Sequence, residues 1–375
     1  MDVPAAIRKL LRRCLEKDHN RRFADIADVR FEIEDALKAG PDATAAVTSA
    51  PSAGHSSRRI LAIGSLAAAV LIALGFWIGR RGAALDTPAP VTRFLVNVAP
   101  ADRLQAAPED RVTNEGRPNR TAMTWSPDGG SVIFSAADSD RQQLYIRGID
   151  QLRATPLPGT EGGAVPFSSP DGRWLGFWSS GALKKIPIDG SGPATVICET
   201  TLLFGASWGA DDTIIFSRGA DGLWRVPASG GTAQAILKPD STKGESRFLS
   251  PQILPGNEAI LFTITHTTFP TWDDDTEVVV QVLASGERKV VVHGGADARY
   301  LPSRHLLYVR KGTLMAVPFD LQQLVATGGA VALIPDVMQS ANTPNADSES
   351  GAGQFSVPIL APFRRKRSRR ASCVE

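Results

Sequence analysis

The sequence contains little cysteine and little histidine. Its 375 residues include 3 Cys and 5 His. Cys14, Cys198 and Cys373 form no C-x-x-C pair, and no two histidines have the spacing of a zinc-binding motif. These absences exclude a disulfide framework and a zinc site of ordinary spacing. We therefore predict that this chain holds no metal and no cofactor.

The chain also lacks a broad excess of charge of one sign. It carries 41 Lys and Arg against 39 Asp and Glu, a net charge of +2, and six of the positive charges lie in residues 364–370. The rest of the chain is therefore net negative, whereas a surface that binds nucleic acid is usually rich in basic residues. We predict no nucleic-acid partner.

What is present is a globular composition rich in turn-forming residues. The chain is 43% hydrophobic and 21% charged, and it contains 34 Gly and 26 Pro. Fibrous and wholly disordered classes are excluded by these values. At this length we expect two domains or one large one.

Residues 1–40 have the pattern of two amphipathic helices. Apolar side chains from Ile7 to Leu15 recur at helical spacing, and a second helix is predicted from Asp25 to the Gly40-Pro41 stop. Two such helices are too small to fold alone, so they look like the end of a larger domain. Residues 41–59, rich in Ala, Thr, Ser and Pro, are predicted to be a flexible linker.

A single transmembrane helix is predicted at residues 60–78. The stretch contains no charge and spans about 29 Å at about 1.5 Å per residue, which matches a bilayer core. Arginine pairs bracket it on both sides, and their equal counts give no orientation. Gly75 and Gly79 form a G-x-x-x-G pair, a weak signal for a homodimer through the helix. Residues 79–90 are a second linker, and the lipid bilayer is a predicted partner.

Beyond residue 90 the sequence repeats a short turn motif followed by apolar strands. The turns are Pro127-Asp128-Gly129, Pro170-Asp171-Gly172 and a third copy at Asp211-Asp212, with looser copies at Pro255 and Pro302. Repeats of four short strands spaced by 40 to 50 residues are typical of β-propeller blades. In each copy Asp and Gly tolerate positive φ and are expected to make a tight hairpin turn.

The end of the chain departs from this pattern. Residues 354–357 fit the beginning of a sixth blade, but a basic run follows. We expect residues 357–375 to be a disordered tail or the product of a frameshift. Both a closed and an incomplete ring of blades are therefore compatible with the sequence.

These motifs resemble a known family. Residues 91–356 resemble the six-bladed TolB-like propellers, which are relatives of WD-repeat domains. "GALKKIPIDG" and "GLWRVPASGG" resemble the propellers of bacterial membrane-bound serine/threonine kinases. Residues 10–37 resemble the end of the kinase C-lobe, where Arg22 matches a buried structural arginine. The resemblance implies a mainly β fold: a six-bladed propeller, incomplete here, preceded by a membrane helix and two kinase helices.

The same resemblance sets the functional expectations. The chain lacks a Gly-rich loop and H-R-D and D-F-G motifs, so we predict no enzyme activity, and ATP and magnesium would belong only to an intact parent kinase. The family implies a sensor or interaction domain of a receptor-type kinase that binds a protein, peptide or small ligand. Its N-terminus would be cytoplasmic and its propeller outside the inner membrane. Two alternatives stay open: a kinase whose catalytic part is missing from this sequence, and a non-functional gene remnant.

For two further residue groups we predict structural roles and no bound ligand. The acidic cluster at residues 273–277 lacks the spacing of a calcium loop, so it is predicted to be a solvated hairpin loop. Five tryptophans recur in phase with the blades and are predicted to pack in the core: Trp125, Trp174, Trp178, Trp208 and Trp224.

Overall fold

The computed structural model describes residues 97–106, 118–139, 141–267, 272, 275–341 and 349–358. Within these ranges the chain is built of β-strands, with one 3-10 turn at Ser241–Lys243. No helix in the described ranges is long and apolar enough to cross a membrane. The predicted kinase helices with Arg22, the helix at 60–78 with Gly75 and Gly79, both linkers, and tail residues 359–375 lie outside these ranges.

The strands form five antiparallel sheets, each drawn from consecutive strands of the chain. Blade 1 contains β1 (Arg103–Leu104), β2 (Met123–Trp125), β3 (Ser131–Asp138), β4 (Arg141–Gly148) and β5 (Thr155–Pro156). Blade 2 contains β6 (Ala164–Ser168), β7 (Trp174–Ser179), β8 (Ala182–Pro187) and β9 (Thr195–Glu199). Blade 3 contains β10 (Ala206–Trp208), β11 (Thr213–Ser217), β12 (Leu223–Pro227) and β13 (Gln234–Leu237).

The last two sheets follow the same plan. Blade 4 contains β14 (Arg247–Ile253), β15 (Ala259–Thr265), β16 (Thr276–Val282) and β17 (Arg288–His293). Blade 5 contains β18 (Ala296–Leu301), β19 (His305–Arg310), β20 (Thr313–Asp320), β21 (Val325–Ala326) and β22 (Val331–Ile334). The innermost strands of successive blades, β2, β6, β10, β14 and β18, contact one another in that order. In blade 1 the two-residue β1 also pairs with β3, and β2 is counted as the first strand of the blade. The five innermost strands therefore form the inner wall of a β-propeller.

Apolar faces of neighbouring blades pack together and hold the propeller in place. Between blades 2 and 3, Leu183, Ile197 and Cys198 pack with Phe216 and Val226, all nearly inaccessible to solvent. Each buried side chain of Leu, Ile, Val or Phe contributes about 1.5–3 kcal/mol to the free energy of unfolding. Burial also raises the pKa of the Cys198 thiol above its ordinary value.

The expectation of six blades is wrong for the described part of the chain, which has five. Residues 349–358 do occupy the inner position between blades 5 and 1, but they form only an isolated bridge between Gln339 and Gly353. These residues form no further sheet because they pair with a nearby part of the chain. The backbone of this segment bonds to the link that leaves blade 5, through Gly351 N to Ser340 O at 2.9 Å and Gln354 N to Met338 O at 2.8 Å. We call residues 349–358 the closing segment.

Candidate functional site

The turn motifs singled out in the sequence lie between the first and second strands of each blade. In blade 1, Gly129 N donates to Ser126 O at 2.8 Å, and Gly129 has a φ of 69°. Asp128 Oδ1 accepts from Gly130 N at 2.9 Å and from Ser126 Oγ at 2.6 Å. Pro127 thus sits at the position of the turn where a fixed φ is favoured, and Asp128 ties the turn together.

The second copy repeats this geometry. Gly172 has a φ of 71°, and its N–H donates to Ser169 O at 3.0 Å. Asp171 accepts from Ser169 Oγ and from Arg173 N. Partial burial alone would raise the pKa of Asp171, but these hydrogen bonds and the Arg173 charge outweigh it and lower the pKa below its ordinary value.

Positive φ falls on the last residue of each turn, not on the aspartates of the first two copies. In blade 3 this residue is Asp212, with a φ of 60°, while Asp211 Oδ1 accepts from Thr213 N at 3.2 Å. In blades 4 and 5 the equivalents are Asn257 and Arg304, with φ of 59° and 63°. The sequence did not reveal Arg304, because arginine has no preference for left-handed backbone.

A cavity of about 330 Å³ lies among the inner strands of all five blades. Its lining runs from the beginning of these strands to the turns described above. The closing segment supplies the remaining part of the wall through Ser350, Ala352, Phe355, Ser356 and Val357. We call this the axial cavity, and it is the candidate binding site, because residues of all five blades line it.

The inner strands are bulged where they approach the axial cavity. Val165, Ser250 and Asp297 have φ of 52°, 51° and 54°, and each lies at a register shift between the first and second strands of its blade. Gly205, with a φ of 109°, lies immediately before β10 in blade 3. Bulges bend a strand and re-aim its side chains, and a left-handed valine is strained. The tertiary fold therefore imposes this conformation on the cavity wall.

A buried carboxylate joins blade 5 to its neighbours beside the cavity. Asp297 is fully buried, and its Oδ2 accepts from Thr121 Oγ1 at 2.9 Å and from Gly353 N at 3.1 Å. Its Oδ1 lies 2.5 Å from Arg299 Nη2. In addition, Asp297 N donates to Thr263 Oγ1 at 3.2 Å. One side chain therefore connects blade 1, blade 5 and the closing segment.

Two arginines place positive charge on the cavity wall. Arg299 Nη1 donates to Ser250 O at 3.3 Å, and about a quarter of its side chain is exposed. Arg120 is buried, with its guanidinium carbon 4.5 Å from the centre of the Phe204 ring. An arginine that keeps exposed N–H groups can bind a carboxylate or carbonyl oxygen of a ligand. Of the two, Arg299 is the better placed to contact a ligand.

Two of the five tryptophans also line the cavity. Trp125 Nε1 donates to Ser356 O of the closing segment at 3.1 Å, and Trp208 Nε1 donates to Asp212 Oδ1 at 3.1 Å. Trp208 is buried against Phe167, with ring centres 6.2 Å apart. The prediction that these tryptophans serve only core packing missed their place on the cavity wall. Periodicity shows which blade a residue belongs to, but it does not show which side chains meet at the axis.

Trp272 packs against residues at the beginning of the inner strands, at the end opposite the turns. Its indole is buried with Phe204, Leu249 and Ala296, and its Nε1 donates to Glu349 Oε2 at 3.1 Å. Gly351 passes so close that a Cβ there would lie 2.2 Å from the indole ring.

In the described ranges, no group of three or more His, Cys, Asp or Glu side chains could hold a metal ion. Asp273 and Asp274 of the acidic cluster lie outside these ranges. Glu277 lies 3.2 Å from His266 Nε2 and 3.3 Å from His293 Nδ1.

Comparisons with known proteins were made on sequence and on structure. No protein-family model matches the chain, and no curated protein matches it. Among solved structures, TolB from Acinetobacter baumannii aligns at 16% identity over 53% of this chain and 51% of that one, with a TM-score of 0.43. A putative TolB from Agrobacterium tumefaciens aligns at 13% identity over 57% and 80%, with a TM-score of 0.45. An oligogalacturonate lyase in complex with manganese aligns at 12% identity over 62% and 81%, with a TM-score of 0.40.

The chain spans about half the length of the first of these proteins. Because all three alignments are loose, the fold assignment rests on the molecule itself. Five consecutive antiparallel sheets whose first strands touch in order define a β-propeller.

Proposed function

We propose that this chain is a ligand-binding domain without catalytic activity, a propeller of the TolB-like type that binds its ligand in the axial cavity. The observation that carries the proposal is the cavity itself, which is shared by five blades and the closing segment. Ligand sites in proteins are typically concave, largely apolar and equipped with a few polar groups that orient the ligand. The axial cavity has this composition.

The ligand class follows from size and lining. About 330 Å³ is near the lower limit of small-molecule pockets, so a compact ligand or the end of a peptide fits better than a folded partner. Trp125, Trp208 and Phe355 offer apolar surface, and Arg299 offers N–H donors. We therefore favour a small molecule or peptide terminus with an apolar body and an oxygen-bearing polar group.

The wider role combines this cavity with the sequence of the first 90 residues. Residues 1–40 resemble a kinase C-lobe and residues 60–78 are predicted to span a membrane. These features support a sensor or interaction domain of a receptor-type kinase, anchored in the inner membrane with the propeller outside the cytoplasm. Protease treatment of intact spheroplasts checks this placement, since a propeller that survives treatment would be cytoplasmic.

The binding proposal is tested by thermal shift. The purified chain is screened against small carboxylates and short peptides, and a ligand at about 100 times its Kd should stabilise the fold by about 2.7 kcal/mol, or raise Tm by about 5–10 °C. Ala206→Phe fills the cavity and should abolish the shift. Ala235→Phe, on the exposed outermost strand of the same blade, should retain it. A shift that persists in Ala206→Phe, or no shift with any compound, would count against the axial site.

A further inference from the structure

The axial cavity opens at the turns and is filled at its other end. The exposed residues of its described lining all belong to turns between first and second strands: Pro170, Ala210, Pro255 and Gly256. At the opposite end the buried indole of Trp272 packs with Phe204 of the lining and with residues of β14 and β18. A ligand would therefore enter from the turns and extend toward Phe204.

The charges on the wall of this cavity are positive. Among the described lining residues, Arg120 and Arg299 carry charge, and no aspartate or glutamate is present. Arg299 Nη1 donates to the carbonyl of Ser250, which precedes the exposed Pro255 by five residues. That separation is about 15 Å along an extended strand. The Arg299 guanidinium therefore lies deep in the cavity, where only the leading end of a ligand reaches it.

The Arg299 side chain is held in place but keeps donors for a ligand. Its Nη1 lies 3.3 Å from Ser250 O and 3.4 Å from Ala298 O, and its Nη2 lies 2.5 Å from Asp297 Oδ1. Its Nε donates to no described residue. A guanidinium has five N–H donors, so donors remain on Nε and Nη2. Asp297 is fully buried and does not line the cavity, which makes it a positioning residue that fixes the guanidinium.

We propose that Arg299 binds a carboxylate of the ligand, and that the ligand enters the axial cavity with this carboxylate first. This inference rests on the proposed function of the cavity. A planar guanidinium with available N–H donors matches the two oxygens of a carboxylate. The rest of the ligand would lie against Trp125 and Trp208, which end their strands next to the turns. The ligand is then an apolar carboxylic acid or the C-terminus of a peptide.

Matched acids and amides test this inference on the full chain. One pair is 4-phenylbutanoate and its amide, and the other is an acetylated Ala-Ala-Leu peptide with a free or an amidated C-terminus. Ligand-observed NMR at pH 7 measures each Kd. We expect at least one acid to bind about tenfold or more tightly than its amide, because hydrogen bonds between charged groups are the stronger ones. Binding of the phenylbutanoate indicates a small acid, and binding of the peptide indicates a chain end.

Replacing the ion pair isolates the anchor. Asp297→Asn together with Arg299→Met removes both charges, so no carboxylate is left buried without its partner. The acid should then bind no better than its amide, while the Kd of the amide changes less than about threefold. A role of Arg299 in stability alone would weaken both ligands equally. The control is Arg225→Met, an exposed arginine of β12 outside the cavity lining, which should keep the preference for the acid.

The anchor and the proposed function fail in different ways. The anchor is refuted if acid and amide bind the unchanged chain equally, a comparison that needs no variant to fold, or if neither acid binds. It is also refuted if the double variant, shown to be folded by urea unfolding, still prefers the acid. In each case a ligand that loses binding in Ala206→Phe would still support the axial cavity as the site. Binding of an acid that persists in Ala206→Phe would refute both.

Discussion

Replacing Asp297 with asparagine should weaken the junction between blade 5, blade 1 and the closing segment. Asparagine has nearly the same shape and tolerates the left-handed φ of 54° at this position, so the change isolates the charge. The carboxylate accepts hydrogen bonds from Thr121 and Gly353 and faces Arg299 at 2.5 Å. All of these contacts involve a fully buried acid.

The expected loss can be built from these contacts. A hydrogen bond to a charged group contributes about 1.5–3 kcal/mol and a neutral one about 0.5–1.5 kcal/mol, so two bonds lose about 2 kcal/mol. The Arg299 charge is left without its partner, but about a quarter of its side chain reaches solvent, so we add only about 1 kcal/mol. Asp297→Asn should therefore reduce the free energy of unfolding by about 3 kcal/mol.

Urea unfolding followed by tryptophan fluorescence measures this loss. Thr121→Val removes only the blade 1 contact to the carboxylate and should cost about 1–2 kcal/mol. The exposed turn residue Asp189 provides the control, and Asp189→Asn should reduce the free energy of unfolding far less than Asp297→Asn does. A loss below about 1 kcal/mol for Asp297→Asn, or full additivity of the Asp297 and Thr121 variants, would refute the claim that this carboxylate ties the blades together.

Two further predictions concern the closing segment and the turns. Gly351→Ala should cost about 2–4 kcal/mol, because its φ of 63° disfavours a side chain and the new Cβ would lie 2.2 Å from Trp272. Gly181→Ala, with a φ of 77° and open space, should cost only about 1 kcal/mol, and similar losses for both would contradict the role of the contact. Asp171→Asn should cost at most about 0.5 kcal/mol at neutral pH, because Ser169 and Arg173 stabilise the ionised carboxylate but solvent screens a side chain that is 43% exposed. Because the pKa of Asp171 is lowered from 3.8, this contribution is present above about pH 4 and is lost as the pH falls through the lowered pKa. Unfolding at pH 7 and pH 3 should therefore give a smaller difference at pH 3, and an equal difference would mean that charge plays no part.

The sequence predicted the blades well because their turns are local. Pro127 to Gly129 contains everything that the first turn needs, namely a fixed φ, an acceptor and a residue that tolerates left-handed backbone. The apolar strands that follow each turn are equally easy to predict from the sequence. Each blade is therefore specified within about 45 residues, and repetition makes the assignment stronger.

The axial cavity could not be predicted in the same way. Val165 adopts a left-handed conformation that its own preference opposes, because contacts between blades decide the backbone there. Asp297 finds its partners at positions 121 and 353, which no local pattern connects. The predicted number of blades was wrong for the same reason, because the backbone of the closing segment forms its hydrogen bonds with residues 338–340.

Closure of the ring and the wall of the cavity depend on the same residues. Gln354 bonds to Ala122 N at 3.0 Å and to Arg120 O at 2.8 Å, and Trp125 bonds to Ser356 O at 3.1 Å. A ligand in the axial cavity would touch this junction from inside. A ligand that binds the closed ring more tightly than the open one would therefore stabilise the closed ring. With the ligand proposed above, binding and closure would be one equilibrium, in which a weak closing segment lowers the apparent affinity and a bound ligand stabilises the closing segment.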